Sequence, residues 1–288
     1  MLGVALSLLI SPLFDGIARK IKARVQFRVG PPIVQTYYDI AKLLSLQPRI
    51  PTKNKLFVIA PYLALASALA SVSILPFGKF WVSFSWDVVA FIYALAMVSV
   101  FFMLGAFSVR SAFSHIGAHR EMMLILSTEP ILAVALAMLS ASAGSLKMSD
   151  ILSSPLSPLS LLGLLFLLYS VYVEGSFVPF DVAEAETEIA GGIFVEYSGK
   201  LLGISLYALL IKRFALTWLL ASILTYRFLL GVSWPVVLLV QFVVSAVIYS
   251  VFALIEATSA RLRIDQIVSM NVRVFFLAII AFIVGWFA

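Results

Sequence analysis

Six carboxylates stand between Glu174 and Glu196, at Glu174, Asp181, Glu184, Glu186, Glu188 and Glu196, in a 288-residue chain with only 14 acids in all. Carboxylates this close raise one another's proton affinity, and burial raises it further. Groups so poised load and release a proton near neutral pH. If a helix begins after Pro179-Phe180, Asp181, Glu184 and Glu188 share one face at i, i+3 and i+7 while Glu186 points elsewhere. Gly191-Gly192 then ends that helix and Glu196 opens the next apolar run. The acids alternate with Val, Ala, Ile and Phe, which a solvated acidic loop would not do.

Three further acids, Glu121, Glu129 and Glu256, lie in or beside long apolar runs. A charge at the centre of a bilayer costs ~2.5–3.5 kcal/mol on insertion scales, so such residues are candidates for an ion or proton path. Glu121 also fits a helix N-terminal charge favoured by the macrodipole. His115 and His119 at i, i+4 face one way, but no carboxylate or cysteine joins them at metal-ligand spacing. No metal site and no catalytic residue is assigned. The chain has no cysteine, so it offers no thiolate ligands for iron–sulfur clusters and no disulfides. Any redox centre must belong to partners.

The elements that position these acids are membrane spans. With 62% hydrophobic and 12% charged residues and a mean hydropathy of +1.10, the chain departs from soluble proteins, which are about a quarter charged. Apolar runs of spanning length, roughly 17–25 residues, predict eight helices: Met1–Ala18, Leu56–Phe77, Val88–Phe107, Met122–Ala143, Leu156–Val173, Leu201–Phe228, Val232–Ile255 and Val274–Ala288. The expected fold is all-α, a polytopic integral membrane domain over 1–288. The first run is short and interrupted by Asp15, which leaves a start further upstream or a shallow seat open. It is not a signal peptide, because the basic cluster follows it.

With eight spans, Arg19 through Lys55, Arg110, Arg120, Lys200, Arg261, Arg263 and Arg273 fall on one side, against Lys79, Lys147 and Arg227 on the other; Lys212–Arg213 stay ambiguous. The positive-inside rule makes the crowded side cytoplasmic, in the cell membrane, with both termini outside. The outer connections 78–87 and 144–155 read as turns. Residues 19–55, 110–121, 174–200 and 256–273 hold nearly all the chemistry. In the first of these, Gly30-Pro31-Pro32 turns the chain into an amphipathic helix ending before Pro48, with Gln35, Asp39 and Lys42 on one face. It suits the membrane surface, as a lipid anchor or as a docking shelf for a soluble partner. Arg261, Arg263 and Asp265 form an alternating charged loop.

PFDVAEAETEIAGGIFVEYSG resembles the signature of the membrane subunit that joins the hydrophilic and membrane arms of respiratory complex I and of the energy-converting membrane-bound NiFe hydrogenases. RVGPPIVQTYYDIAKLL is similar to the family's RxGPxxxQxxxDxxKLL stretch, SAFSHIGAHRE to its next inner segment and ARLRIDQI to its final inner loop. The motifs come in the family's order and span essentially the whole chain. The QxYYDIxKLL and SAFSHIGAHRE wording resembles the hydrogenase-type branch. The quinone-reducing branch carries ExNRxPFD, and here Ser176 and Phe177 stand at the Asn-Arg positions, which argues against a quinone site.

The resemblance implies a membrane anchor and coupling subunit of a ferredoxin-linked, ion-translocating redox complex. Iron–sulfur clusters and a NiFe-type centre would lie in peripheral subunits on the cytoplasmic side, with no cofactor bound by this chain itself, and antiporter-type subunits would lie beside it in the bilayer. Glu121, Glu174, Asp181, Glu184, Glu186, Glu188 and Glu196 would carry the ion or proton path, with Glu129 and Glu256 deeper; Arg24, Arg28, Asp39, Lys42, Arg261, Arg263 and Asp265 would meet the peripheral arm. The alternatives are a quinone-binding subunit of a complex I-type dehydrogenase and the equivalent subunit of a sulfur-reducing or formate-linked complex. A stand-alone secondary transporter should show repeat symmetry or midplane helix breaks, and neither is present. A purely structural anchor leaves the acids without a purpose. Nothing in the sequence suggests a nucleic-acid partner.

Overall fold

All eight expected runs are helical in the computed structural model, which describes residues 2–78 and 82–287; Met1 and Ala288, the outer ends of the first and last expected spans, and Lys79 lie outside the described residues. In chain order the helices are α1 Leu2–Val25, α2 Gln35–Ser45, α3 Lys55–Ile74, α4 Asp87–Phe107, α5 Ala112–Ala143, α6 Met148–Ser153, α7 Pro158–Glu174, α8 Glu186–Ile189, α9 Gly199–Thr225, α10 Trp234–Thr258 and α11 Ile264–Phe287. Short 3-10 turns add Gly192–Phe194 and Tyr226–Leu229. Six of these helices, α3, α4, α5, α9 (with the turn after it), α10 and α11, are long and apolar enough to cross a bilayer. The protein is membrane-embedded. Of the other two expected spans, α7 is apolar but has 17 residues, and α1 has 24 but carries Asp15 and Arg19.

The centre of the bundle is α9, which packs against α1, α2, α3, α4, α7 and α10. A helix that is apolar all round belongs in a core, and Phe214, Trp218, Leu219 and Leu220 are buried. Phe77 stacks on Trp218 with centroids 4.5 Å apart, and Trp218 Nε1 donates to Pro76 O at 2.9 Å. By contrast α11 buries little of itself, with Phe276, Ile280 and Val284 facing out.

Several boundaries differ from expectation, and α1 runs past Ala18 through the basic cluster to Val25. α5 starts ten residues before Met122 and takes in both histidines, which face Phe107 together. α11 starts at Ile264 instead of Val274, because buried Asn271 finds side-chain partners that carry the helix through a polar stretch. The 144–155 connection is not only turn: it contains α6, held where Met148 N donates to the buried Asp87 carboxylate at 2.6 Å. The amphipathic helix forms as expected, with Gln35 donating to Asp39 at 2.9 Å on its polar face.

The four charged segments meet at one end of the bundle. Lys200 N donates to Leu46 O, Arg49 N to Ser198 Oγ, and Leu262 N to Pro179 O. Arg120 reaches across to Glu188.

Candidate functional site

The acidic segment does not fold as the expected helix. α8 has only four residues, and Asp181 and Glu184 lie in the irregular chain before it. The chain doubles back so that Gly192 touches Ala183, where a Cβ would strike the Ala183 carbonyl oxygen; nine residues of α-helix would hold the two about 13.5 Å apart. Gly117 of α5 packs tightly on Gly192 and Ile193. Ala190, Gly191 and Gly192 all have positive φ, which the two glycines accept without strain. Asp181, Glu184 and Glu188 therefore share no helical face.

The fold instead divides the acids between two compartments, with α9 between them. The first is an open cavity of about 280 Å³ walled by α1, α2, α9, α10 and the loop before α8. Asp15, Asp39, Asp181, Glu184, Glu186 and Glu256 line it, against Arg19, Arg213 and Arg261. Arg19 bridges Asp15 at 2.8 Å and Asp39 at 2.9 Å, and Thr36 Oγ1 donates to Asp15 at 2.8 Å. Arg261 Nη2 holds Asp181 Oδ2 at 2.8 Å, while Asp181 Oδ1 is buried with no partner among the described residues. Lys22 pairs with Glu256 at 2.9 Å.

Arg213 forms the inner wall of this cavity. Its Nε donates to Gly175 O at 2.7 Å and its Nη2 to Ser176 O at 3.0 Å, satisfying carbonyls at the end of α7 that have no helical partner. Its guanidinium lies 5.2 Å from the Phe177 ring centroid, a cation–π distance. At the place where the quinone-branch motif has an arginine, the cation thus comes from another helix. Burial pushes the Glu184 carboxyl up to about 8, opposed by the Arg213 guanidinium and reinforced by the charge of Asp181. Burial also raises Asp181, against the pull of Arg261. Asp39 is held below the usual carboxylate range, first by the Gln35 hydrogen bond and then by Arg19.

The second compartment is closed. Lys212, one residue before Arg213, approaches Glu174 Oε1 to 2.6 Å with both side chains 2% exposed or less. Its Nζ also donates to Ser99 Oγ of α4 at 2.7 Å. Glu121 of α5 is buried and faces the same ammonium and the same hydroxyl. Glu129, two turns further along α5, is half-buried beside Pro130.

The sequence-selected acids thus separate. Glu121 and Glu174 meet around Lys212; Asp181, Glu184, Glu186 and Glu256 meet at the cavity. Glu188 turns away to Arg120 at 2.7 Å, and Glu196 sits half-buried in the chain before α9, outside the cavity wall. Glu121 is not a helix-start charge, since it lies in the third turn of α5 and macrodipole effects fade within the first. Among the docking candidates, Asp39 and Arg261 face the cavity, whereas Arg24, Arg28, Lys42, Arg263 and Asp265 are exposed. Sequence reading missed Asp15, Arg19, Lys212 and Arg213. The signal was present for the last two, because adjacent cations inside an apolar run must find acids within the bundle.

Among the described residues no group of three or more His, Asp or Glu is arranged to hold a metal ion. The arrangement suits charge transfer between carboxylates: an open, ion-paired vestibule and, on the far side of α9, a buried cluster of two acids and one ammonium.

Residues 1–287 match the NADH dehydrogenase family. Hydrogenase-4 component C of Escherichia coli (strain K12) is 35% identical over 216 residues, covering 72% of this chain and 68% of that protein. Formate hydrogenlyase subunit 4 of the same organism is 31% identical over 286 residues, 89% of this chain and 88% of that one. An NADH-quinone oxidoreductase subunit of Rhizobium meliloti (strain 1021) is 28% identical, with 93% and 89% covered. Among solved structures, a chain of the membrane-bound sulfane sulfur reductase, an archaeal respiratory membrane complex, superposes with a TM-score of 0.86 at 22% identity over 98% of this chain and 96% of that one. That likeness establishes the fold.

Proposed function

The chain belongs to the NADH dehydrogenase family, and from that premise we propose that it is the membrane anchor and coupling subunit of a ferredoxin-linked, ion-translocating redox complex of hydrogenase type. The observation that carries this reading is the pair of compartments: a charged cavity opening at one end of the bundle and, behind Arg213, a sealed Glu174–Lys212–Glu121 cluster. Acids at that depth serve no packing need and are the usual parts of an ion or proton relay.

In this reading Asp181, Glu184, Glu186 and Glu256 receive the charge, Glu174 and Glu121 pass it inward, and Glu129 hands it on. Arg24, Arg28, Lys42, Arg263 and Asp265 lie exposed at the cavity end, where a peripheral arm carrying iron–sulfur clusters and a NiFe-type centre would dock on the cytoplasmic face of the cell membrane. Antiporter-type subunits would continue the path sideways. Higher identity to the hydrogenase-4 and formate hydrogenlyase subunits than to the quinone oxidoreductase subunit supports the hydrogenase-type branch. Phe177 supports it too, since an apolar ring cannot donate a hydrogen bond to a quinone carbonyl and the nearby Arg213 directs its Nε and Nη2 to Gly175 O and Ser176 O.

The test is ion movement by the intact complex in sealed vesicles. Glu184→Gln should abolish it while electron transfer and assembly survive. Normal pumping by this variant would remove the acidic cavity from the path.

A further inference from the structure

We infer that Lys212 is a shuttling ammonium shared by Glu174 and Glu121, and that its swing past the Ser99 hydroxyl drives one proton the opposite way between those two carboxylates. The inference rests on the ion-path reading and adds to it a residue and a step.

The geometry fixes the participants. Lys212 Nζ lies 2.6 Å from Glu174 Oε1 and 2.7 Å from Ser99 Oγ. The Ser99 hydroxyl in turn faces the Glu121 carboxylate. Lys212 is 2% exposed, Glu174 1%, Ser99 1% and Glu121 5%. Other charged groups facing this cluster are Glu129 from α5 and Asp181 and Glu184 from the loop before α8. Glu174 is under-supplied: no hydrogen bond reaches its Oε2 among the described residues.

Charge balance supplies the rest. Two carboxylates and one ammonium carry a net charge of −1, and isolated buried charge costs several kcal/mol. One added proton makes the cluster neutral, and it has two neutral arrangements. With the ammonium on Glu174, as observed, the proton resides on Glu121. With the ammonium on Glu121, it resides on Glu174. Exchanging the two moves one proton while the ammonium keeps its three hydrogens, and the cluster stays neutral throughout. The lysine stem is flexible and its head carries three rotatable donors, so the head group can pass from one carboxylate to the other while its Cα stays fixed in α9. A fixed arginine fork would not do this as readily. Ser99 is the waypoint, a hydroxyl able to accept from the ammonium and donate to a carboxylate.

The experiment uses the intact complex in sealed vesicles and reads protons moved per electron, together with the pH profile of coupled turnover. Ser99→Ala should lower the ratio and reshape the pH profile, Ser99→Thr should restore both, and Lys212→Met should reduce pumping to background. A Lys212→Met, Glu174→Gln variant removes one charge of each sign, leaves a cluster that is neutral with Glu121 protonated, and should assemble, yet still not pump. Wild-type ratio and pH profile in Ser99→Ala would overturn the shuttle even if Lys212→Met lost pumping, because Lys212 would then be a fixed counter-charge. The Ser99 pair decides alone where Lys212→Met fails to assemble. Loss of pumping in Glu184→Gln with none in the Ser99 and Lys212 variants sinks the shuttle only; normal pumping in Glu184→Gln sinks the path on which it rests.

Discussion

Two buried polar clusters draw on α5 and α7, one closed by α11 and the other by α9, and they are built on opposite terms. In the first, Asn271 Oδ1 accepts from Tyr169 OH at 2.6 Å, and its Nδ2 donates to Ser127 Oγ at 2.9 Å and Thr128 Oγ1 at 3.1 Å. Both hydroxyls pass on to Leu124 O. The asparagine is neutral and each of its polar groups has a partner, so the arrangement locks α11 to its neighbours. In the second, three charged side chains share too few partners, and Glu174 Oε2 has none among the described residues. A satisfied network holds one geometry. An under-satisfied charged one has a second arrangement of similar energy within reach, and this distinguishes a brace from a relay.

The largest effect that separates them is on stability. Lys212→Met leaves Glu174 buried and uncompensated, for which breaking a buried pair costs about 3–5 kcal/mol. Adding Glu174→Gln should recover most of that loss. Denaturant unfolding of the detergent-solubilised protein measures both, and a single variant as stable as the parent would mean the pair is not compensating charge.

Removing the brace should cost less and do something different. Asn271→Leu strands the Tyr169, Ser127 and Thr128 hydroxyls and should destabilise by about 1–2 kcal/mol, the range for hydrogen bonds between membrane helices. Ions moved per electron should hold at the parental value. If pumping fails in this variant, the brace is part of the path and the contrast collapses.

A subtler readout comes from the cavity. Glu184 is pushed up to about 8, so proton loading should fall as pH rises through about 8. Arg213 favours its ionised form and Asp181 opposes it. Arg213→Gln should therefore move the alkaline limb of coupled turnover to higher pH, and Asp181→Asn should move it lower. Shifts of the same sign in both variants would show that Glu184 does not set that limb. The smallest effect belongs to the exposed Arg263–Asp265 pair at 3.4 Å, where Arg263→Ala should change stability by less than about 1 kcal/mol and act only on retention of soluble subunits.

Much of this was legible in the residues alone. Length and apolarity located the six helices able to cross a bilayer, because the cost of burying peptide groups in hydrocarbon forces helices where such runs occur. The polar face of α2 followed from spacing, and the acidic segment declared itself by composition. Spacing failed between Asp181 and Glu188. There the chain is set by Gly192 closing on Ala183 and by Gly117 pressing on Gly192, contacts whose partners lie nine and seventy-five residues away. Asp15 read as a blemish in a span, yet it lines the cavity beside Asp39 and Arg19.

By itself, then, the sequence determined that this chain is a bundle of membrane helices with its chemistry gathered in four charged segments, since hydropathy and charge are local properties that each run carries with it. Only the tertiary structure decided which acids meet. Lys212 and Arg213 are neighbours in sequence, but about 100° of helical rotation turns one toward Glu174 and Ser99 in the dry interior and the other toward Gly175, Ser176 and the cavity. That division depends on what α4, α5 and α7 place around α9, and no spacing along one strand of sequence encodes it.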